Sequence, residues 1–279
     1  MPLLFSLGIH DAIQHVASQL RPDEQVFAYL DDVYAICAPE RVVEVYDLLR
    51  AALGELAGIH LHTGKTRVWN KSGQPPENVD RLGVDAWNAE GVKVLGTPIG
   101  TEAFVSDHVT DRMGEEQKLL DALSDVPDLQ CAWQILLQCA GPRCNHLLRT
   151  LPPTQSTEYA DAHDEAMWKA VGTLLGALPS SDTELANSRR IATLPMRLGG
   201  LGLRSARRTS ASAYWASWAD ALPMINARVP SMAEHIVECL DAGNAPSGSC
   251  LAELGGAASK LDRAGFLSRP SWAELQTGK

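Results

Sequence analysis

The stretch Phe27-Ala28-Tyr29-Leu30-Asp31-Asp32-Val33-Tyr34-Ala35-Ile36-Cys37 sets two adjacent carboxylates between two short apolar runs. Val26 to Leu30 and Val33 to Cys37 have the aliphatic, aromatic and β-branched composition of strands, and only Asp31-Asp32 separates them. This spacing predicts an antiparallel hairpin with Asp31-Asp32 as its two-residue turn, because Asp tolerates the positive φ that such turns require. Adjacent acids repel each other, and a turn built for structure alone favours Asn-Gly or Asp-Gly, so a cation is the natural partner of this pair. A solvated acidic turn is the alternative, since Asp is common in turns of every kind.

Around the hairpin the order reads helix, hairpin, helix, strand, strand, an α+β arrangement. Residues 2–20 carry Leu4, Leu7, Ile13, Val16, Ala17 and Leu20 at helical spacing, and Pro2 suits a first turn. Pro39 opens a second helix whose stripe Val42, Val43, Val45, Tyr46, Leu49, Leu53 and Leu56 closes near Gly58. Thr66 to Trp69 and Val92 to Leu95 are short strand candidates. From Phe104 onward the chain reads as helical, with breaks at Pro127, Gly141-Pro142 and Pro152-Pro153. Residues 243–264, rich in Gly, Ser and Ala, are expected to form a loose connection.

The 279 residues are 45% hydrophobic, enough for a substantial core. No apolar run approaches the roughly 18–20 residues of a membrane span. His10, Asp11 and His15 stand where a signal peptide would be apolar, and six irregularly spaced cysteines suit a reducing compartment. The expected location is intracellular, nucleus or cytoplasm, with no membrane partner. Cys131, Cys139, Cys144 and His146 do not have zinc-site spacing.

The net charge of −10 opposes phosphate binding, but its distribution is uneven. Between Leu185 and Ala219 lie Arg189, Arg190, Arg197, Arg204, Arg207 and Arg208 and no acid. This basic segment, with Arg189, Arg190, Arg204, Arg207 and Arg208 as candidate nucleic-acid contacts, precedes Tyr214, Trp215 and Trp218, whose spacing also fits a core stripe. Glu158, Asp161, Asp164 and Glu165, with His163, read as the solvated face of a helix rather than a metal cluster. The run Leu194-Pro195-Met196-Arg197-Leu198-Gly199-Gly200-Leu201-Gly202-Leu203-Arg204-Ser205 lacks the Lys-Ser/Thr of a nucleotide-binding loop.

Tyr29-Leu30-Asp31-Asp32 resembles the Tyr-x-Asp-Asp signature of reverse transcriptases, in the form found in non-LTR (LINE-type) retrotransposons. Pro2-Leu3-Leu4-Phe5-Ser6-Leu7 resembles the end of that family's preceding motif, and Gly58-Ile59-His60-Leu61-His62-Thr63-Gly64-Lys65-Thr66 the following one, with His62 where Asn is usual. Val94-Leu95-Gly96-Thr97-Pro98-Ile99-Gly100 resembles the primer-grip segment, and the Leu194 to Ser205 run resembles a stretch downstream of the palm.

The resemblance implies the C-terminal part of a polymerase palm over 1–101, an antiparallel sheet with two helices, then a mainly α-helical thumb or connection over 102–242 and a loosely structured segment over 243–279. It implies an RNA-directed DNA polymerase that uses two Mg²⁺ or Mn²⁺ ions, about 3.5–4 Å apart, to join deoxynucleoside triphosphates to a DNA primer on an RNA template. Asp31 and Asp32 would be metal ligands and catalytic groups, with Lys65 approaching the leaving phosphates and Tyr29, Leu95 and Gly96 near the primer. The family's third catalytic aspartate and its fingers belong upstream of the matched motifs. The expectation is therefore an N-terminally truncated chain, inactive alone, with an upstream polymerase segment or a second chain completing the site. The alternative is a non-enzymatic RNA-binding or scaffold relic that kept the palm shape.

Overall fold

A computed structural model describes residues 2–176 and 181–278. The chain divides into two compact units, Met1–Val105 and Ser106–Lys279, and its α+β class rests on a mostly helical body with two small antiparallel hairpins.

The first unit is built on α1 (Pro2–Ala17), β1 (Gln25–Tyr29), β2 (Asp32–Ile36), α2 (Val42–Ala57), β3 (Gly91–Val94) and β4 (Thr97–Gly100). Helices α1 and α2 pack face to face through Ile9, Ala12, Val16, Val45, Leu49 and Leu53, and Val26 and Val33 close this core from the hairpin. The α2 stripe buries as its periodicity predicts, and Gly58 ends the helix in the left-handed conformation at φ 65°. Glu24, buried just before β1, takes the guanidinium of Arg41 at 3.1 and 3.3 Å and the N–H of Arg21 at 3.0 Å. These bonds tie the start of the hairpin to the start of α2, and the Arg41 hydrogen bond leads in holding the Glu24 pKa below its ordinary value.

Three local expectations are corrected. The first helix ends at Ala17 rather than near residue 20. Thr66 to Trp69 does not form a strand: the described residues show only a single parallel bridge from Val68 to Trp87, with Val68 packed beside Tyr46, Leu82 and Ala86. The two hairpins β1-β2 and β3-β4 remain separate two-stranded sheets among the described residues, rather than one antiparallel sheet.

The second unit contains α3 (Glu102–Ala122, whose first turn precedes the division), α4 (Leu129–Ile135), α5 (Asn145–Thr150), α6 (Pro153–Leu175), α7 (Asp182–Ala192), α8 (Ala206–Arg228), α9 (Pro230–Ala242), α10 (Cys250–Arg263) and α11 (Trp272–Gln276). Leu120, Leu123, Leu136, Met167, Trp168 and Val171 form its main core. Tyr214, Trp215 and Trp218 follow the core-stripe reading: Tyr214 packs with Leu254 and Ala257, and the Trp215 and Trp272 rings lie 6.0 Å apart. Residues 243–264 are not loose throughout. Helix α10 occupies Cys250–Arg263, capped by Ser249, because Leu254, Ala257 and Leu261 fall on one face and bury.

Candidate functional site

The hairpin forms, but its turn lies one residue earlier than the sequence suggests. Tyr29 pairs with Asp32, so Leu30-Asp31 is the two-residue loop, and the positive φ (55°) falls on Leu30 rather than on an aspartate. Asp31 stands at the tip and Asp32 opens β2, both exposed. Because pairing slid without changing alternation, Val26, Ala28, Val33 and Ala35 still share the face toward the α1/α2 core, and Phe27, Tyr29, Asp32 and Tyr34 share the other.

On that outer face the Tyr34 hydroxyl makes two contacts. It donates to Asp32 Oδ2 at 3.3 Å and accepts the backbone N–H of Leu95 at 3.3 Å. Burial leads in raising the phenol's pKa, the Leu95 N–H opposes it, and the carboxylates of Asp32 and Asp31 add to it. Leu95-Gly96 is itself the loop of the β3-β4 hairpin, with φ of 49° and 81°, so both loop residues are left-handed as a type I′ turn demands. Tyr34 thus brings Asp32 and the Leu95-Gly96 turn together, a link that sequence reasoning missed. The signal was the alternation that puts residue 34 two positions from Asp32 on one face. Tyr29 is 59% exposed at the same end.

Lys65 ends a 3₁₀ turn over Thr63–Lys65 and is exposed. Among the described residues no hydrogen bond or ion pair joins it to Asp31 or Asp32. The oxygen donors of Asp31 and Asp32 suit Mg²⁺ or Mn²⁺ chemically. They do not make a complete site: among the described residues no three His, Cys, Asp or Glu side chains converge.

In the second unit, four of the five candidate arginines line one groove. Arg189 and Arg190 come from α7, Arg204 from the approach to α8 and Arg208 from its first turn, around a cavity of about 310 Å³. The glycine-rich run builds this wall by folding back on α7: the N–H groups of Leu201 and Leu203 both reach the Ala192 carbonyl, and that of Gly202 reaches Leu194. Only glycine fits at 200, where a Cβ would stand 2.0 Å from the Leu194 carbonyl oxygen.

Of the acids of α6, Glu158, Asp161 and Glu165 are exposed as expected, whereas Asp164 and the neighbouring His163 are drawn into contacts. Asp161 pairs with Arg207 at 3.1 Å, which draws that arginine out of the groove, and Glu165 pairs with Arg189 at 2.7 Å. Asp164 caps α8 by accepting the Ser205 hydroxyl and the Ala206 N–H, both at 2.6 Å. His163 points inward to Glu116 at 2.9 Å, whose other oxygen accepts the Tyr159 hydroxyl at 2.5 Å. Burial would push the imidazole down, but the hydrogen bonds it makes to Cys144 and to the Glu116 carboxylate outweigh it and hold the pKa at about 10.

Over 204 residues, 73% of its length, the chain is 28% identical to the retrotransposable element SLACS 132 kDa protein of Trypanosoma brucei gambiense. The similarity is thus to a protein of a retrotransposable element. The chain spans only 16% of that relative's length. No family model and no solved structure matches the chain. Among the described residues no helix is long and apolar enough to cross a membrane.

Proposed function

We propose that this chain is the part of a retroelement reverse transcriptase that carries the Asp-Asp hairpin of the palm and the helical region after it. The observation that carries the reading is the exposed tip formed by Tyr29, Asp31 and Asp32, fastened through Tyr34 to the Leu95-Gly96 turn. It is supported by the similarity to a retrotransposable-element protein. The partners are an RNA template, a DNA primer and deoxynucleoside triphosphates.

When bound, Mg²⁺ or Mn²⁺ would supply charge neutralisation at the transferring phosphate, held by Asp31 and Asp32 with a further carboxylate from outside this sequence. The residues present do the rest of the positioning. The hairpin holds the carboxylates on a rigid support, Tyr34 orients Asp32, and the Leu95-Gly96 turn offers backbone to a primer strand. Lys65 would stabilise charge on the leaving phosphates.

The test is fusion of an upstream fingers-palm segment supplying the family's third aspartate. Metal-dependent primer extension should appear, and Asp31→Ala should abolish it. Extension that survives Asp31→Ala would assign the chemistry to another site.

A second reading, a non-enzymatic RNA-binding relic, is favoured by one observation: four of the five candidate arginines line one groove in the second unit. A fusion that binds RNA but never extends a primer would select it.

A further inference from the structure

We propose that the groove between α6, α7 and the start of α8 is a binding site for the terminal phosphate monoester of a nucleic-acid strand, with the end nucleotide lying against the groove's apolar floor. The identity of the strand rests on the nucleic-acid reading above; the phosphate chemistry rests on the groove itself.

The groove's polar rim consists mainly of donors. Arg190, Arg204 and Arg208 have no carboxylate or hydrogen-bond acceptor for their guanidinium groups among the described residues, while Arg189 is tied to Glu165. Guanidinium groups cannot shed their charge, and an exposed set lining one groove without internal acid partners is open to an anion. Asp164 is the single carboxylate on the wall, and it is already occupied by the Ser205 hydroxyl and the Ala206 and Arg207 N–H groups. The same bonds, with the Ser205 hydroxyl accepting the Arg208 N–H, use up the first amides of α8. The helix end is therefore closed to a ligand, and any anion is held by side chains.

The floor is a separate observation. Trp168 contributes to the wall and is itself 6% exposed. Met167 and Leu203 complete an apolar surface beside it. A base or sugar fits against that surface while its phosphate meets the rim.

Charge favours the end of a strand over its interior. The cavity of about 310 Å³ is at the small end of ligand pockets and has room for one nucleotide. A phosphate monoester carries about −1.5 to −2 at pH 7 and presents three oxygens for forked guanidinium contacts, where an internal diester carries about −1. Three guanidiniums without acid partners match the monoester better.

The experiment uses the full chain and single-stranded RNA of one sequence in three forms, 5′-phosphorylated, 3′-phosphorylated and unphosphorylated, with binding read by fluorescence polarisation. One phosphorylated form should bind about tenfold more tightly than the unphosphorylated strand, the scale of an added charge-assisted contact. Arg190→Ala, Arg204→Ala and Arg208→Ala together should erase that preference, and Arg204→Lys, which keeps the charge and loses the fork, should reduce it. Arg228→Ala at the far end of α8 should leave it intact. Inorganic phosphate should compete with the phosphorylated strand alone. Equal affinity for all three strands would overturn the inference, and if the triple variant then weakened all three alike, the groove would bind internal phosphodiesters and the nucleic-acid reading would survive. Absence of binding by every strand would overturn both.

Discussion

The hydroxyl of Tyr34 accepts the backbone N–H of Leu95 at 3.3 Å across 61 residues of chain, and so fixes the loop of one hairpin against the strand that carries Asp32. Tyr34→Phe removes this acceptor and the donor to Asp32 while keeping the ring. It should cost about 1 kcal/mol in chemical denaturation, the ordinary worth of a hydrogen bond. A double-mutant cycle with Asp32→Ala should show coupling, and strict additivity would mean the Asp32 contact contributes nothing.

Leu95 pays a conformational cost that its neighbour does not. It sits at φ 49° ahead of Gly96 and is 45% exposed, so Leu95→Asn loses little burial and creates Asn-Gly, the favoured type I′ pair. Relief of the left-handed strain should stabilise the chain by about 1 kcal/mol. An unchanged or lower denaturation midpoint would show that the leucine side chain is held by contacts worth as much.

Glycines offer a paired comparison. Gly200→Ala drives a Cβ into the Leu194 carbonyl and should displace Arg204, weakening oligonucleotide binding together with stability. Gly114→Ala, in the middle of α3 with open space around the added carbon, should stabilise by about 0.5–1 kcal/mol. Both are read by denaturation, and the first also by polarisation. Equal effects would refute the fold-back geometry.

Two buried ion pairs predict opposite pH responses. The Glu24 pKa is depressed, so its pair with Arg41 contributes stability above the ordinary value of 4.5, and this is lost as pH falls through the native value; Glu24→Gln should flatten that acid limb. The His163 pKa is raised to about 10, so its pair with Glu116 contributes fully below the ordinary 6.5 and fades as pH rises toward 10; His163→Gln should flatten that alkaline limb. Glu116→Ala, which strands the buried imidazolium and the Tyr159 hydroxyl, should cost about 3–5 kcal/mol. An unaltered pH profile in either Gln variant would reject the corresponding assignment.

In a polymerase completed by the upstream segment, Lys65→Ala should lower kcat more than it raises KM, since a charge aimed at the leaving group acts mainly in the transition state. A change confined to KM would make Lys65 a binding residue instead.

The sequence by itself determined what depends on neighbours along the chain. The hairpin's existence, the α2 stripe ending at Gly58, the helix break at Pro152-Pro153, and the core role of Tyr214 and Trp218 all follow from periodicity and from residues with restricted backbones. Alternation fixed which faces Val33 and Tyr34 present but not the register, because sliding the turn from Asp31-Asp32 to Leu30-Asp31 preserves every face; the fit of Val26 and Val33 on α1 and α2 is part of what a local reading does not hold. Tertiary structure alone decided the partners of charge. Arg204 and Arg207 are three residues apart in one basic run, yet Arg204 faces the groove and Arg207 is taken by Asp161 on another helix. Charge acts through space over a few ångströms, and which opposite charge comes within that distance is set by helix packing that no local pattern records.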